Sequence, residues 1–335
     1  MRIAMHVASA LIGLGLGACL TAQASAVEKV KLGTNWKAEA EHGGFYQAVA
    51  DGTYAACGLD VTIVPGGPQV NNRILLPTGK VDFLMGANLL EAFSSVEQGI
   101  PTKVVAAIFQ KEPQVLLSHP GVYAKFEDLK SATMILSEGG FQSYYQWMIT
   151  EFGFSPDKRR PYTFNPAPFI ADTKAVQQAY ITSEPYAVEK TGGFKPQVWV
   201  LADLGFNTYA TTIETTEDMI AKKPAVVQCF VDGSIKGWYN YLYSGNNKAA
   251  NEMIKKDNPE MDDDQIAFSV EQMKQYGIVD SGDSLKLGIG TISPDRMKSF
   301  FDKMVKAKVV SASVDVTKSY VTTFVNKGVG LDLKK

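Results

Sequence analysis

Asn35, Trp36, Glu39, Glu41 and His42 fall within a single eight-residue stretch, between a short β-like run and a Gly-Gly pair that opens a helical pattern. An indole, an amide, two carboxylates and an imidazole can stack on a ring and exchange hydrogen bonds with it. A plain connection needs none of them. Four further stretches carry comparable chemistry. Gly66-Gly67-Pro68-Gln69-Val70-Asn71 has paired glycines that let the backbone approach a guest closely. Gly86-Ala87-Asn88 closes another β-like run, and Ser137-Glu138-Gly139-Gly140-Phe141 leads into a helical pattern with Tyr144 and Tyr145. In Thr182-Ser183-Glu184-Pro185-Tyr186, the proline biases Glu184 toward extended backbone, placing it as an acceptor for a ligand N–H.

The candidate binding residues are therefore Asn35, Trp36, His42, Gly67, Asn88, Gly139, Gly140, Tyr144, Tyr145, Glu184 and Tyr186. Each has a blander reading. The glycine pairs can be ordinary turns, Tyr144, Tyr145 and Trp147 can be core, His42 can be a satisfied structural residue, and Glu184 can be a solvated loop carboxylate.

The elements that position these stretches alternate. Strands are expected at Val30–Thr34, Leu59–Val64, Val81–Met85 and Lys103–Phe109, with helices at Gly44–Ala56, Val70–Leu76 and Leu89–Gln98. Gly58 and Gly153 follow helical patterns where a left-handed cap is favoured. The alternation resumes with strands at Val115–Ser118, Ala132–Leu136, Tyr162–Phe164, Ala179–Thr182 and Gln197–Leu201, and helices at Phe126–Leu129 and Phe141–Glu151. After Thr216 the pattern turns helical, at Ala225–Ser244, Lys248–Lys256, Asp263–Tyr276 and Pro294–Lys306. Strand–helix alternation implies mostly parallel α/β sheets, with ligands at the carboxyl ends of the strands. The fold class expected is α/β with two lobes, each a mostly parallel sheet flanked by helices, and a helical C-terminal tail packed on the first lobe. The divisions are residues 1–26 as a leader, 27–112 as lobe 1, 113–206 as lobe 2, and 207–335 returning to lobe 1 with the tail. The lobes join near Gln110–Pro113 and again near Gly205–Thr211.

Arg2 ahead of an apolar run from Val7 to Leu20, then Ala24-Ser25-Ala26, reads as a secretory signal peptide cleaved after Ala26. Leu16-Gly17-Ala18-Cys19 allows a second reading, a lipoprotein acylated at Cys19. Removing residues 1–26 takes Arg2 alone from 33 basic residues, leaving 32 against 35 acidic ones, a net charge of −3. No basic footprint for nucleic acid or an anionic membrane is present. Cys57 and Cys229 lie far apart in sequence and are expected to be small apolar core residues rather than a disulfide framework. Two histidines outside the leader, His42 and His119, argue against a zinc site. Gly-x-Ser-x-Gly is absent, and Pro77-Thr78-Gly79-Lys80-Val81 lacks the hydroxyl that ends a phosphate loop. The expectation is a binding protein, with no catalytic residue, metal or cofactor.

Asn35-Trp36, His42-Gly43-Gly44-Phe45-Tyr46, Gly58-Leu59-Asp60-Val61, Gly79-Lys80-Val81-Asp82-Phe83, Gln98-Gly99-Ile100-Pro101 and Phe126-Glu127-Asp128-Leu129-Lys130 resemble one family. It is the periplasmic solute-binding proteins of ABC importers, in the branch of thiamine-pyrimidine-precursor, nitrate, sulfonate and taurine binders. The resemblance implies a type II two-lobe protein, monomeric and periplasmic, that shuts on a small molecule and docks on an ABC permease with its ATPase. The fungal pyrimidine synthases resemble the same family but consume a pyridoxal cofactor and a histidine of their own. They carry a Lys and a His in the segment matching VDFLMGANLLEAFSSVEQG, which here has neither.

The candidate loops hold Glu39, Glu41, Glu138 and Glu184 against Lys37 and Arg73. Carboxylates repel an anion, whereas aromatic rings with acidic acceptors suit a flat, nitrogen-rich ring. The expected ligand is a thiamine-type pyrimidine precursor or similar heteroaromatic. Nitrate, a sulfonate, taurine, a flavin or an aromatic acid remain alternatives.

Overall fold

A computed structural model describes residues 27–67, 72–162 and 165–334. The leader with Cys19 and Ala26, the Pro68–Asn71 part of the second candidate loop, and residues 163–164 of an expected strand lie outside the described residues.

In chain order the strands are β1 (Glu28–Gly33), β2 (Leu59–Val64), β3 (Phe83–Asn88), β4 (Thr102–Phe109), β5 (Gln114–Ser118), β6 (Thr133–Leu136), β7 (Arg159–Pro161), β8 (Ala175–Tyr180), β9 (Gln197–Val200) and β10 (Ala210–Thr216). They make two five-stranded sheets, ordered β2-β1-β3-β10-β4 and β7-β6-β8-β5-β9. Pairing is parallel among β1, β2 and β3 and among β6, β7 and β8, while β10 and β5 run antiparallel to both neighbours. The inversion follows from connectivity. The chain leaves the first sheet at the carboxyl end of β4 and enters the second at β5; it leaves β9 and re-enters the first at β10. A strand entering from the rim between the lobes must run away from it, against those that end there. The result is the expected two-lobe α/β fold, with one inverted strand in each sheet.

Both faces of the sheets are covered, so β4 and β5 are nearly continuous apolar runs. The long helix Pro224–Tyr243 covers the first sheet. Its Phe230 ring stacks 5.2 Å from Tyr54 and 3.9 Å from Phe83, and its Trp238 meets Phe45 and Phe109 edge-on at 6.0 and 5.7 Å. The tail reaches the second lobe as well. Phe300, in the helix Pro294–Lys306, lies 5.4 Å from Phe206, and Ser269 in the helix Asp263–Gln275 donates to the Thr182 carbonyl at 2.7 Å.

Four sequence expectations need correction. Cys57 and Cys229 are not merely apolar filler: they form a disulfide, with Cα atoms 6.0 Å apart, between the short helix Thr53–Ala56 and the long helix. The helix expected at Gly44–Ala56 is interrupted at Asp51-Gly52, where Gly52 takes φ 76°. The one expected at Phe141–Glu151 is two helices, Glu138–Gln142 and Tyr144–Phe152, parted at Ser143. Glu184 is not extended, for it opens the helix Glu184–Gly192. Proline is tolerated in a first turn because its missing N–H had no intrahelical partner there, and this outweighs the bias on the preceding residue.

Candidate functional site

The lobes face each other across a cleft of about 1210 Å³. The first lobe supplies Asn35, Trp36 and Glu39 from the segment after β1, and Ala87, Asn88 and Glu91 from the end of β3 and the helix Leu89–Glu97. The second supplies Ser137–Gly140 after β6, Tyr144, Tyr162, Gln178 and Tyr180 of β8, and Ser183 with Glu184. Glu112, Gln114 and Phe206 come from the stretches where the chain crosses between lobes. These are mostly carboxyl ends of parallel strands, where right-handed crossovers leave loops and helix starts together.

Local hydrogen bonds fix the walls. Asn88 caps its helix, its Oδ1 accepting from Leu90 N at 3.0 Å, which leaves its amide N–H₂ for other acceptors. Ser137 caps the next wall, accepting from Gly140 N at 3.0 Å. A Cβ on Gly140 would sit 2.6 Å from Tyr144 Oη, so this glycine makes room for that ring, whereas one on Gly139 would meet nothing within 4 Å. Tyr144 Oη donates to Gln178 Oε1 at 3.3 Å, and its ring meets Phe206 edge-on at 6.2 Å.

The cleft is acidic. Glu184 accepts from Tyr162 Oη at 3.1 Å and from Tyr180 N at 2.7 Å; burial raises its pKa while these bonds oppose the rise. Burial, then Glu41, then Glu184 across the cleft hold Glu39 well above the usual carboxylate range. Glu112 is 2% exposed; its Oε1 accepts from Gln114 N at 3.3 Å, and burial pushes it up to about 8. Arg73 sits between two carboxylates, Glu91 at 2.8 Å and Glu214 at 3.1 Å. It is the one Lys or Arg among the described residues of the cleft wall.

Seven of the eleven candidates from sequence line the cleft: Asn35, Trp36, Asn88, Gly139, Gly140, Tyr144 and Glu184. Four do not. His42 is fully buried, neither ring nitrogen has a hydrogen-bond partner, and burial drops its pKa to about 3. Tyr145 points the other way, its hydroxyl donating to the Ser155 carbonyl at 2.8 Å. Gly67 is buried, and Tyr186 packs on Phe268 of the tail at 5.5 Å. The sequence reading missed Glu91, Glu112, Tyr162, Gln178, Tyr180 and Phe206. Glu112 carried a usable signal, since it lies in the expected Gln110–Pro113 crossing. Gln178 lies in a strand expected four residues too late, and Tyr180 falls inside that expected range.

Among the described residues no group of three or more His, Cys, Asp or Glu could hold a metal ion, and no helix is long and apolar enough to cross a membrane. The described lining offers aromatic rings, carboxyl groups, amides and hydroxyls.

A family model described as NMT1/THI5 like matches residues 39–247. Riboflavin-binding protein RibY of Chloroflexus aurantiacus is 26% identical over 233 residues, 63% of this chain, and the chain spans 62% of that relative's length. The ligand-binding component of an ABC-type import system from Staphylococcus aureus superposes with TM-score 0.62 at 13% identity, covering 89% of this chain and 97% of its own. The periplasmic aliphatic sulphonate binding protein SsuA from Escherichia coli gives 0.61 at 14%, covering 87% and 91%. The desulfurization enzyme DSZB gives 0.57 at 11%, covering 89% and 97%. At these identities the likeness of the structures is one of fold.

Proposed function

We propose that this chain, which belongs to the NMT1/THI5-like family, is the periplasmic solute-binding component of an ABC import system. It captures a planar, nitrogen-rich heterocycle, a thiamine-type pyrimidine precursor in the first instance, and delivers it to a membrane permease coupled to an ATPase. The observation that carries the ligand class is the composition of the cleft. Trp36 on one lobe and Tyr144 and Tyr180 on the other face a space whose ionisable Glu and Arg lining, among the described residues, is five glutamates against one arginine. Ring contacts contribute about 0.5–1.5 kcal/mol each beyond burial, and hydrogen bonds to a charged group about 1.5–3 kcal/mol. A small anion would use neither the rings nor the carboxylates. The disulfide between Cys57 and Cys229 supports an oxidising compartment.

A flavin is the second reading. It is supported by the relative named for riboflavin and by a cleft of about 1210 Å³, wider than the roughly 300–1,000 Å³ usual for small-molecule sites. The fold likeness to SsuA supports a sulfonate or another anion, and the cleft lining counts against it. Binding without turnover is the reading here, although the fold also houses DSZB. A pyridoxal-dependent pyrimidine synthase would develop visible-range aldimine absorbance with the cofactor, and none is expected.

Titration with 4-amino-5-hydroxymethyl-2-methylpyrimidine should quench tryptophan fluorescence and raise the melting temperature. Trp36→Ala should weaken binding about tenfold, the loss of a stacked ring and its burial. If riboflavin gives the response and the pyrimidine does not, the second reading replaces the first; tight sulfonate capture with both ignored overturns the heterocycle class.

A further inference from the structure

The ion pairs of the cleft wall leave several of its carboxyl groups without a cationic partner. Arg73 is committed to Glu91 and Glu214, and Arg159 reaches Glu138 at 2.7 Å. Among the described residues no Lys or Arg makes an ion pair with Glu39, Glu112 or Glu184. The nearest cationic candidate, His42, lies 3.7 Å from Glu39 but is buried and neutral. Glu112 is the sharpest case. It is 2% exposed, lines the cleft where the chain crosses between lobes, and its Oε2 has no hydrogen-bond partner. A buried carboxyl oxygen without a partner bears its full desolvation penalty, so such groups mark a missing partner. Around it stand Tyr144 and Tyr180, and Tyr180 in turn senses Glu39, Glu91 and Glu41.

We propose that the ligand carries a positive charge, a protonated amine or amidinium, seated near Tyr180 between Glu39 and Glu112, with these two carboxylates setting the preference for a cation. This rests on the heterocycle reading above and adds a charge to it. A cation there favours the ionised form of two acids that burial otherwise keeps protonated. Since burial pushes Glu112 to about 8, capture of a cation near pH 7 should ionise it and release a proton. Tyr144 and Tyr180 are held well above their usual range and stay protonated throughout.

The experiment is calorimetry at pH 7 with two 4-amino-2-methylpyrimidines that differ at carbon 5, one bearing a neutral hydroxymethyl group and one a protonated aminomethyl group. The aminomethyl compound should bind at least about tenfold tighter. It should release a proton, read as an enthalpy that varies with the ionisation enthalpy of the buffer. In Glu112→Gln, and likewise in Glu39→Gln, the preference should shrink severalfold and the proton release should fall, since burial holds both acids protonated before the cation arrives. Circular dichroism melts establish that both variants fold, and the ratio of the two affinities is read within each variant. Equal affinities, or a preference untouched in both variants, overturns the inference while leaving the heterocycle reading in place. If neither pyrimidine binds, the heterocycle reading fails in its pyrimidine form and the inference falls with it.

Discussion

Glu41 shows how much one residue can owe to the fold. It is 2% exposed and accepts a hydrogen bond from Thr182 Oγ1 of the opposite lobe. Burial pushes its pKa up from 4.5 to about 7, the Thr182 bond and a backbone N–H opposing the rise. Because the folded value lies above the unfolded one, the native state holds a proton that the unfolded chain has already lost. The stability this gives is complete below about 4.5 and disappears as pH rises through about 7. The melting temperature should therefore fall between pH 5 and pH 8. Glu41→Gln, which keeps an oxygen for Thr182, should flatten that fall by up to about 1.4 kcal/mol per pH unit. Calorimetric melts across the interval check this, and an unchanged slope would remove Glu41 as the source. At this scale the sequence reading erred over direction rather than type. His42 and Tyr145 have chemistry suited to a site, yet helix phase turns both inward, and phase depends on where each helix starts. Ser143 breaks the helical pattern and so decides that Tyr144, not Tyr145, reaches the cleft.

The contact between the helix Gly43–Ala50 and the long helix Pro224–Tyr243 fixes the loop that carries Trp36 and Glu39. Their backbones approach closely because glycines face each other. A Cβ on Gly44 would lie 2.2 Å from Trp238, and one on Gly237 would lie 2.2 Å from the Gly44 carbonyl. Neither neighbour can yield cheaply, since one is a buried ring and the other backbone. Gly44→Ala should destabilise by about 1–3 kcal/mol through overpacking, despite alanine's better helix propensity. A urea midpoint shifted down with unchanged slope is the expected result; a rise would mean that packing is looser than the geometry implies. Elements with strong periodicity and clean caps were legible from sequence, such as Pro294–Lys306 and β2. β10 was not, because its ATTIETT sequence has four threonines and one glutamate. Part of their burial is satisfied by distant partners, Thr215 donating to the Asp82 carbonyl at 2.7 Å and Glu214 pairing with Arg73. No local pattern reveals such partners.

The two lobes are linked by more than the two crossings. From the first lobe, Tyr46 Oη donates to Asp257 Oδ2 at 2.8 Å, and Asn258 Nδ2 donates to the Ala38 carbonyl at 2.8 Å. A few residues on, the same tail segment grips the second lobe through Ser269 to Thr182, Phe268 against Tyr186, and Asp262 to Lys190 at 2.7 Å. The tail is therefore a third strut, set beside the loops that carry Glu39 and Glu184. The pair of Lys190 and Asp262 is exposed and contributes little, so the buried hydroxyl and the ring carry the grip. A strut of this kind limits how far the lobes separate and raises the fraction ready to close on a ligand. Apparent affinity scales with that fraction. In Phe268→Ala combined with Ser269→Ala, the ligand-free radius of gyration from small-angle scattering should increase. Saturating ligand should return it to the value of the parent protein, and the dissociation constant should rise by about threefold, as expected if the competent fraction falls by the same factor. An unchanged ligand-free radius with weakened binding would point instead to a direct effect on the Thr182–Glu184 loop, and the strut would then be packing alone.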